Sequence, residues 1–234
     1  MHRLTRLTGT NPLLVFVPGF LGNIHTELFS NLRGWSEDMG FDYWMEDFKG
    51  HSPEELELAP LSQQFNQLRS TYTLIRELCP RQDIVLIGHS QGGYLITRLL
   101  DELRAPLSVI FLNPAFTLTD IILINRLTAE ERSTLQRGEW VFKQFKPQHH
   151  KWLSPQWYQE YANLTPPGML PNIHAHAIWG AEDTVVSGQD KEFLTTLGNV
   201  QHSTLTGDHS FSGEDFANVS QALQDTLSEL PSAI

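Results

Sequence analysis

The run IVLIGHSQGG, residues 84–93, sets Ser90 between Gly88 and Gly92 where an apolar strand pattern gives way to a helical one. A serine hydroxyl is a weak nucleophile unless a base takes its proton during attack and a third group orients that base. A sharp strand-to-helix turn would lift such a hydroxyl to the edge of a sheet. The turn demands small flanking residues, because side chains there would strike the neighbouring backbone. It also leaves the Gln91 amide, at the amino end of the helix, free to stabilise a developing oxyanion. The competing reading is a serine helix cap followed by flexible glycines. The complete strand–turn–helix setting favours chemistry.

Position selects a base from the ten histidines. In LTGDHSF, His209 lies on a loop after the last strand pattern and before the final helix. In AIWGAEDTVV, Asp183 lies on the loop after the preceding strand, with Glu182 as the reserve acid. The chain order is therefore Ser90, Asp183, His209, with room for an insertion in the first interval and a helix–strand unit in the second. Asp208 is adjacent to His209, and neighbouring side chains on a loop seldom face each other. Asn113, after the SVIFL strand pattern, could orient an imidazole but not stabilise imidazolium as a carboxylate does. His89 lies within the turn and is expected to pack or hydrogen-bond beneath the serine. A second oxyanion amide is expected from FVPGFLGN, at Phe20, or at Leu21 if the turn is shifted by one residue.

These residues need a scaffold. LLVFV (13–17), FDYWME (41–46), IVLIG (84–88), SVIFLN (108–113), HAIWG (176–180) and VQHSTL (200–205) read as strands. Helical patterns occupy 56–78, 91–103, 188–197 and 214–230. Strands alternating with helices imply βαβ units around a mostly parallel central sheet flanked by helices. Residues 117–167 break the rhythm with a helical or irregular pattern rich in aromatics, including Trp140, Trp152 and Trp157. We read them as a helical lid inserted into a core formed by 1–116 and 168–234, placed over the carboxyl ends of the strands, where open α/β sheets bind ligands. Leu21, His51, Trp140, Trp152 and Trp157 are the candidate substrate contacts.

Composition narrows the alternatives. Sixteen Lys and Arg stand against 27 Asp and Glu, a net charge of −11, which disfavours nucleic acid as a partner. The single cysteine, Cys79, excludes an internal disulfide and a thiolate zinc cluster. His149 and His150 are adjacent rather than helically spaced, and His174 and His176 lack a third ligand nearby, so no metal is expected. No stretch of 18 apolar residues exists to form a membrane span, and the short run LLVFV does not make a signal sequence. The expected location is the cytoplasm.

The segments PGFLG, GHSQGG, WGAEDTVV and GDHSF, in this order, resemble the α/β-hydrolase superfamily over nearly the whole chain, and FLNPAF and GDHSFSGEDF are similar to small bacterial esterases. The resemblance implies an α/β-hydrolase fold, Ser90 as nucleophile, His209 as base then acid, Asp183 as orienting acid, and the Phe20 and Gln91 amides as oxyanion hole. It implies no cofactor. Two departures stand out. Pro18 occupies a position that is histidine in many relatives, and the first strand pattern begins only at Leu13, so the usual amino-terminal hairpin is expected to be missing or shortened. The implied activity is hydrolysis of a small-molecule ester or thioester through an acyl-enzyme. The aromatic lid implies an apolar acyl or aryl group, and the six Lys or Arg against five Asp or Glu in residues 117–167, nearly neutral in an acidic protein, are compatible with an anionic handle such as a thioester carrier. The same residues are compatible with carbon–carbon hydrolysis, lyase or cyclase chemistry and transacylation, or with a non-catalytic small-molecule binder.

Overall fold

A computed structural model describes residues 2–9, 12–103, 108–165, 174–198 and 200–229. Seven strands make one sheet: β1 (Arg3–Arg6), β2 (Leu13–Val17), β3 (Asp42–Glu46), β4 (Ile84–His89), β5 (Ser108–Leu112), β8 (His174–Gly180) and β9 (Val200–Leu205). Their spatial order is β1-β3-β2-β4-β5-β8-β9, and every pairing is parallel except β1 with β3. Every residue of β2 is buried, as a strand covered by helices on both faces requires, which is why LLVFV is continuously apolar.

The chain runs from β2 outward to β3, then returns to place β4 on the other side of β2. Successive connections thus leave in opposite directions from the β2/β4 pair, opening a crevice at the carboxyl ends of those strands. The Phe20 turn follows β2 and Ser90 follows β4, so topology alone brings the two segments together. The helices between strands are α1 (Glu27–Asp38), α2 (Leu61–Leu78), α3 (Gln91–Leu103), α6 (Gly188–Thr196) and α7 (Phe216–Glu229).

Three features depart from the sequence reading. Strand β1 precedes Leu13, pairing Arg3–Arg6 with Tyr43–Glu46. As an edge strand it has no continuous apolar run, and it is held by Arg3, whose guanidinium meets Glu46 at 3.0 Å and lies 4.5 Å from the Trp44 ring. Helix α1 was not legible: its buried residues Leu28, Phe29, Leu32 and Ser36 follow one face, but Gly34 and four charges interrupt the pattern.

The third departure is the inserted segment, which is not purely helical. A π-helical turn (Thr119–Ile124) leads to α4 (Ala129–Gln136), an antiparallel hairpin of β6 (Val141–Lys146) and β7 (His149–Leu153), and α5 (Pro155–Ala162). Aromatic side chains on the hairpin's exposed face, Phe142 and Trp152, pair across the strands with rings 4.9 Å apart and blur the expected alternation. The proposed boundary between 167 and 168 lies outside the described residues.

The insertion is tied down at both ends. The buried Asp190 carboxylate accepts the Phe116 and Thr117 amides at 2.6 and 2.7 Å and the Thr117 hydroxyl at 2.9 Å. On the hairpin, the Trp152 amide donates to Leu56 O at 2.6 Å and Trp152 O accepts from the Leu58 amide at 3.1 Å. The fully buried Lys151 ammonium donates to the carbonyls of Ser52 and Glu55.

Candidate active site

Ser90 sits at φ +52°, a left-handed conformation that a non-glycine residue holds only when its surroundings impose it. Here its amide donates to Leu112 O at 3.0 Å, and its carbonyl accepts from the amides of Gly93 at 2.9 Å and Ala115 at 3.1 Å. Two close approaches explain the glycines. A Cβ on Gly92 would lie 2.1 Å from Val17 O, and one on Gly19 would lie 2.8 Å from Ser90 Cβ.

The structure brings Ser90, His209 and Asp183 into one relay. His209 Nε2 lies 3.0 Å from Ser90 Oγ, and His209 Nδ1 lies 2.8 Å from Asp183 Oδ2. The other carboxylate oxygen, Oδ1, accepts the amides of Val185 at 2.7 Å and Val186 at 3.0 Å. Burial pushes the Asp183 carboxyl up, but the His209 hydrogen bond and charge, with the two amides, outweigh it and hold the pKa below the usual carboxylate value. Glu182 is exposed and makes no bond to His209, while Asp208 Oδ1 is engaged by the amides of Ser210 and Ser212.

Two residues set aside in the sequence hold the histidine loop. Asn113 donates through Nδ2 to the carbonyls of Asp208 and His209, both at 3.1 Å, and accepts the Gly180 amide at 2.7 Å. It therefore clamps the strand end before Asp183 and the loop carrying His209 in one side chain. His89 Nε2 lies 2.8 Å from His209 O. Burial, helped by the neighbouring His209, lowers the His89 pKa to about 3, so the neutral ring donates from Nε2–H. Replacing Asn113 by alanine is expected to lower kcat by about 10²-fold, the scale of a slightly misplaced catalytic group, with little change in KM. Steady-state kinetics on a variant whose thermal melt shows it folded checks this.

Phe20 and Gln91 both face the cavity beside Ser90, and among the described residues neither backbone amide has an acceptor. Leu21 is buried at φ +56° within the turn closed by the Gly22 amide on Gly19 O (2.9 Å), and does not line that cavity. His51 is buried behind this turn, its Nδ1–H donating to Gly22 O at 3.1 Å. Trp157 is buried against Phe20 and Tyr161, with ring centroids 6.3 and 4.8 Å away. Trp140 and Trp152 point outward, 48% and 42% exposed. None of these four lines the cavity.

That cavity has a volume of about 460 Å³. The inserted segment contributes Leu118, Ile121, Ile122, Arg126 and Lys146 to its wall, and the core adds Leu28, Phe29 and Val185. The sequence carried one signal for these residues, the apolar run of the π-helical turn ending near Arg126; π-helical turns recur at functional sites. Among the described residues no three His, Cys, Asp or Glu side chains converge as a metal site.

His51 gives the fold an acid sensitivity. Burial lowers its pKa from 6.5 to about 4. The unfolded chain therefore takes up a proton that the folded chain refuses as pH falls below 6.5, and stability drops through that window. Its contribution at pH 5 is expected to be a loss of about 2 kcal/mol relative to neutral pH. Urea denaturation at pH 7.5 and 5 checks this: His51→Gln should shrink the difference by that amount.

No curated protein sequence matches this chain significantly. Solved structures do. Est1E from Butyrivibrio proteoclasticus, with bound ferulic acid, has a TM-score of 0.72 and 17% identity over 97% of this chain and 94% of its own. Mouse alpha/beta hydrolase domain-containing protein 10 gives 0.72 and 17%, covering 98% and 94%. The Pyrococcus furiosus esterase Pf2001 gives 0.67 and 14%, covering 96% and 84%. The model of the alpha/beta hydrolase family matches residues 14–229. With its mostly parallel sheet flanked by helices, this chain belongs to the alpha/beta hydrolase family.

Proposed function

We propose that this hydrolase cleaves a carboxylic ester or thioester through an acyl-enzyme on Ser90. The observation that carries the reading is the relay from Ser90 Oγ through His209 to Asp183, set beside two amides without acceptors. His209 Nε2 takes the Ser90 proton as Oγ attacks the carbonyl carbon. The Phe20 and Gln91 amides hold the resulting oxyanion, each such donor typically contributing about 3 kcal/mol to the barrier reduction. Asp183 stabilises the imidazolium. His209 then gives its proton to the leaving alkoxide or thiolate, and in the second half activates water to release the acid. No step calls on a cofactor.

Ester chemistry rather than another reaction is supported by the wall of the cavity. Leu118, Ile121 and Ile122 offer an apolar surface for an acyl or aryl group, and the Pyrococcus furiosus esterase Pf2001 and Est1E with bound ferulic acid share the fold. The inserted segment covers one side of the cavity and shapes the acyl pocket. Its hairpin end cannot swing freely, since opening would break the Trp152 backbone bonds and strand the buried Lys151 ammonium.

Labelling with a fluorophosphonate and mapping the modified peptide tests the proposal. Modification at Ser90, followed by release of acid from a panel of aryl esters and acyl thioesters, is the expected result. A folded protein that resists the probe and turns over neither class refutes it.

A further inference from the structure

Two cations in the catalytic cavity have no counter-ion. Arg126, half-buried after the π-helical turn, places its guanidinium carbon 5.6 Å from the centre of the Phe20 ring, which lines the same cavity as Ser90. Lys146, at the end of β6, reaches the same cavity from its rim. Among the described residues neither makes an ion pair or a hydrogen bond to a carboxylate. Burial lowers the pKa of both, and the positive charge of Arg126 lowers that of Lys146 further.

The two acids that line this cavity are held by backbone amides rather than by Arg126 or Lys146. Glu27 accepts the Gly213 amide at 2.8 Å, and Asp208 holds the Ser210 and Ser212 amides of the histidine loop. A protein carrying a net charge of −11 presents, on the wall of this cavity, two positive groups that form no ion pair among the described residues. Holding the half-buried Arg126 and the exposed Lys146 on one wall sets two like charges on the same cavity, a cost that an anion bound there would return. Arginine suits this task, since its planar fork matches a carboxylate or phosphate, while lysine adds a point charge.

We infer that Arg126 and Lys146 form an anion subsite, so that the preferred substrate is an ester or thioester bearing a carboxylate or phosphate group. This rests on the hydrolase reading of Ser90 and names the substrate class of that same cavity. The anion lies on either the acyl part or the leaving group, and the experiment separates the two.

In one arm, a 4-nitrophenyl ester of glutaric acid, with its free carboxylate, is compared with the pentanoate ester. In the other, a coenzyme A thioester is compared with the N-acetylcysteamine thioester of the same acyl group. The expected result is a preference in kcat/KM of about tenfold or more for the anionic member of one pair, falling as salt rises from 0.05 to 0.5 M. In the Arg126→Gln, Lys146→Gln double variant that ratio should fall to near unity. A wild-type preference below twofold in both arms, or one that survives the double substitution, overturns the subsite.

Binding keeps the test independent of catalysis. Calorimetric titration of glutarate monomethyl ester into Ser90→Ala should show affinity that disappears in the triple variant. Wild-type protein that turns over no ester or thioester, with that binding intact in Ser90→Ala, would refute the hydrolase reading and leave the subsite standing. Absence of binding of both glutarate monomethyl ester and coenzyme A at millimolar concentration, with neutral esters still cleaved, would do the reverse.

Discussion

Replacing Ser90 by alanine is expected to lower kcat for an activated ester by about 10⁶-fold and to abolish fluorophosphonate labelling. The size of the effect follows from what remains. The Phe20 and Gln91 amides and the cavity would still bind the ester and polarise its carbonyl, leaving a residual catalysis of about 10³-fold or more over water. What disappears is the covalent route. The variant should fold normally, because among the described residues the only side-chain hydrogen bond lost is the 3.0 Å contact with His209 Nε2, while the backbone bonds of Ser90 to Leu112, Gly93 and Ala115 persist. Alanine also tolerates φ +52° about as well as serine does, so the strained turn survives. Stopped-flow hydrolysis and intact-protein mass spectrometry on both proteins check this. Retention of more than a hundredth of the wild-type rate would mean that the nucleophile is not Ser90.

What the sequence made legible here was the chemistry that depends on local pattern. A nucleophile turn must be built from small residues around one serine, and β4 and α3 must flank it, so IVLIGHSQGG carries its own structural context. The pairing of Asp183 with His209 could be read because both follow strands whose carboxyl ends lie on the same edge of a parallel sheet. Other parts depend on contacts that no local pattern records. Nothing near Asn113 announces that its amide would bridge Gly180 to His209, far along the chain. Strand β1 needs no apolar run because only one of its edges is paired. The aromatic residues of the insertion were a poor guide to the cavity wall, because Trp157 is consumed by packing on Phe20 and Trp152 by its hairpin partner Phe142. Leu118, Ile121 and Ile122 line it instead, presented by a π-helical turn whose register a 3.6-residue period does not describe.

Asp183→Asn is expected to lower kcat by about 10⁴-fold while leaving the fold intact, and the cause is the direction of one amide. In the wild type, Asp183 Oδ1 accepts the Val185 and Val186 amides and Oδ2 accepts His209 Nδ1–H. An asparagine has one oxygen, and the two backbone donors claim it, since turning an NH₂ group toward two N–H groups would leave all of them unpaired. The NH₂ must then face His209 Nδ1, which becomes an acceptor. A neutral imidazole accepting at Nδ1 carries its proton at Nε2, the atom that has to take the proton from Ser90. The base is thereby occupied before the reaction begins, and the imidazolium that forms in the transition state loses its counter-charge as well. Because the Val185 and Val186 bonds are retained, thermal stability should change little even as the rate collapses. Ester turnover and melting measured together separate this from simple unfolding. If Asp183→Asn keeps a tenth of the wild-type rate, the orienting charge must come from elsewhere in the loop, and the relay drawn through Asp183 is wrong.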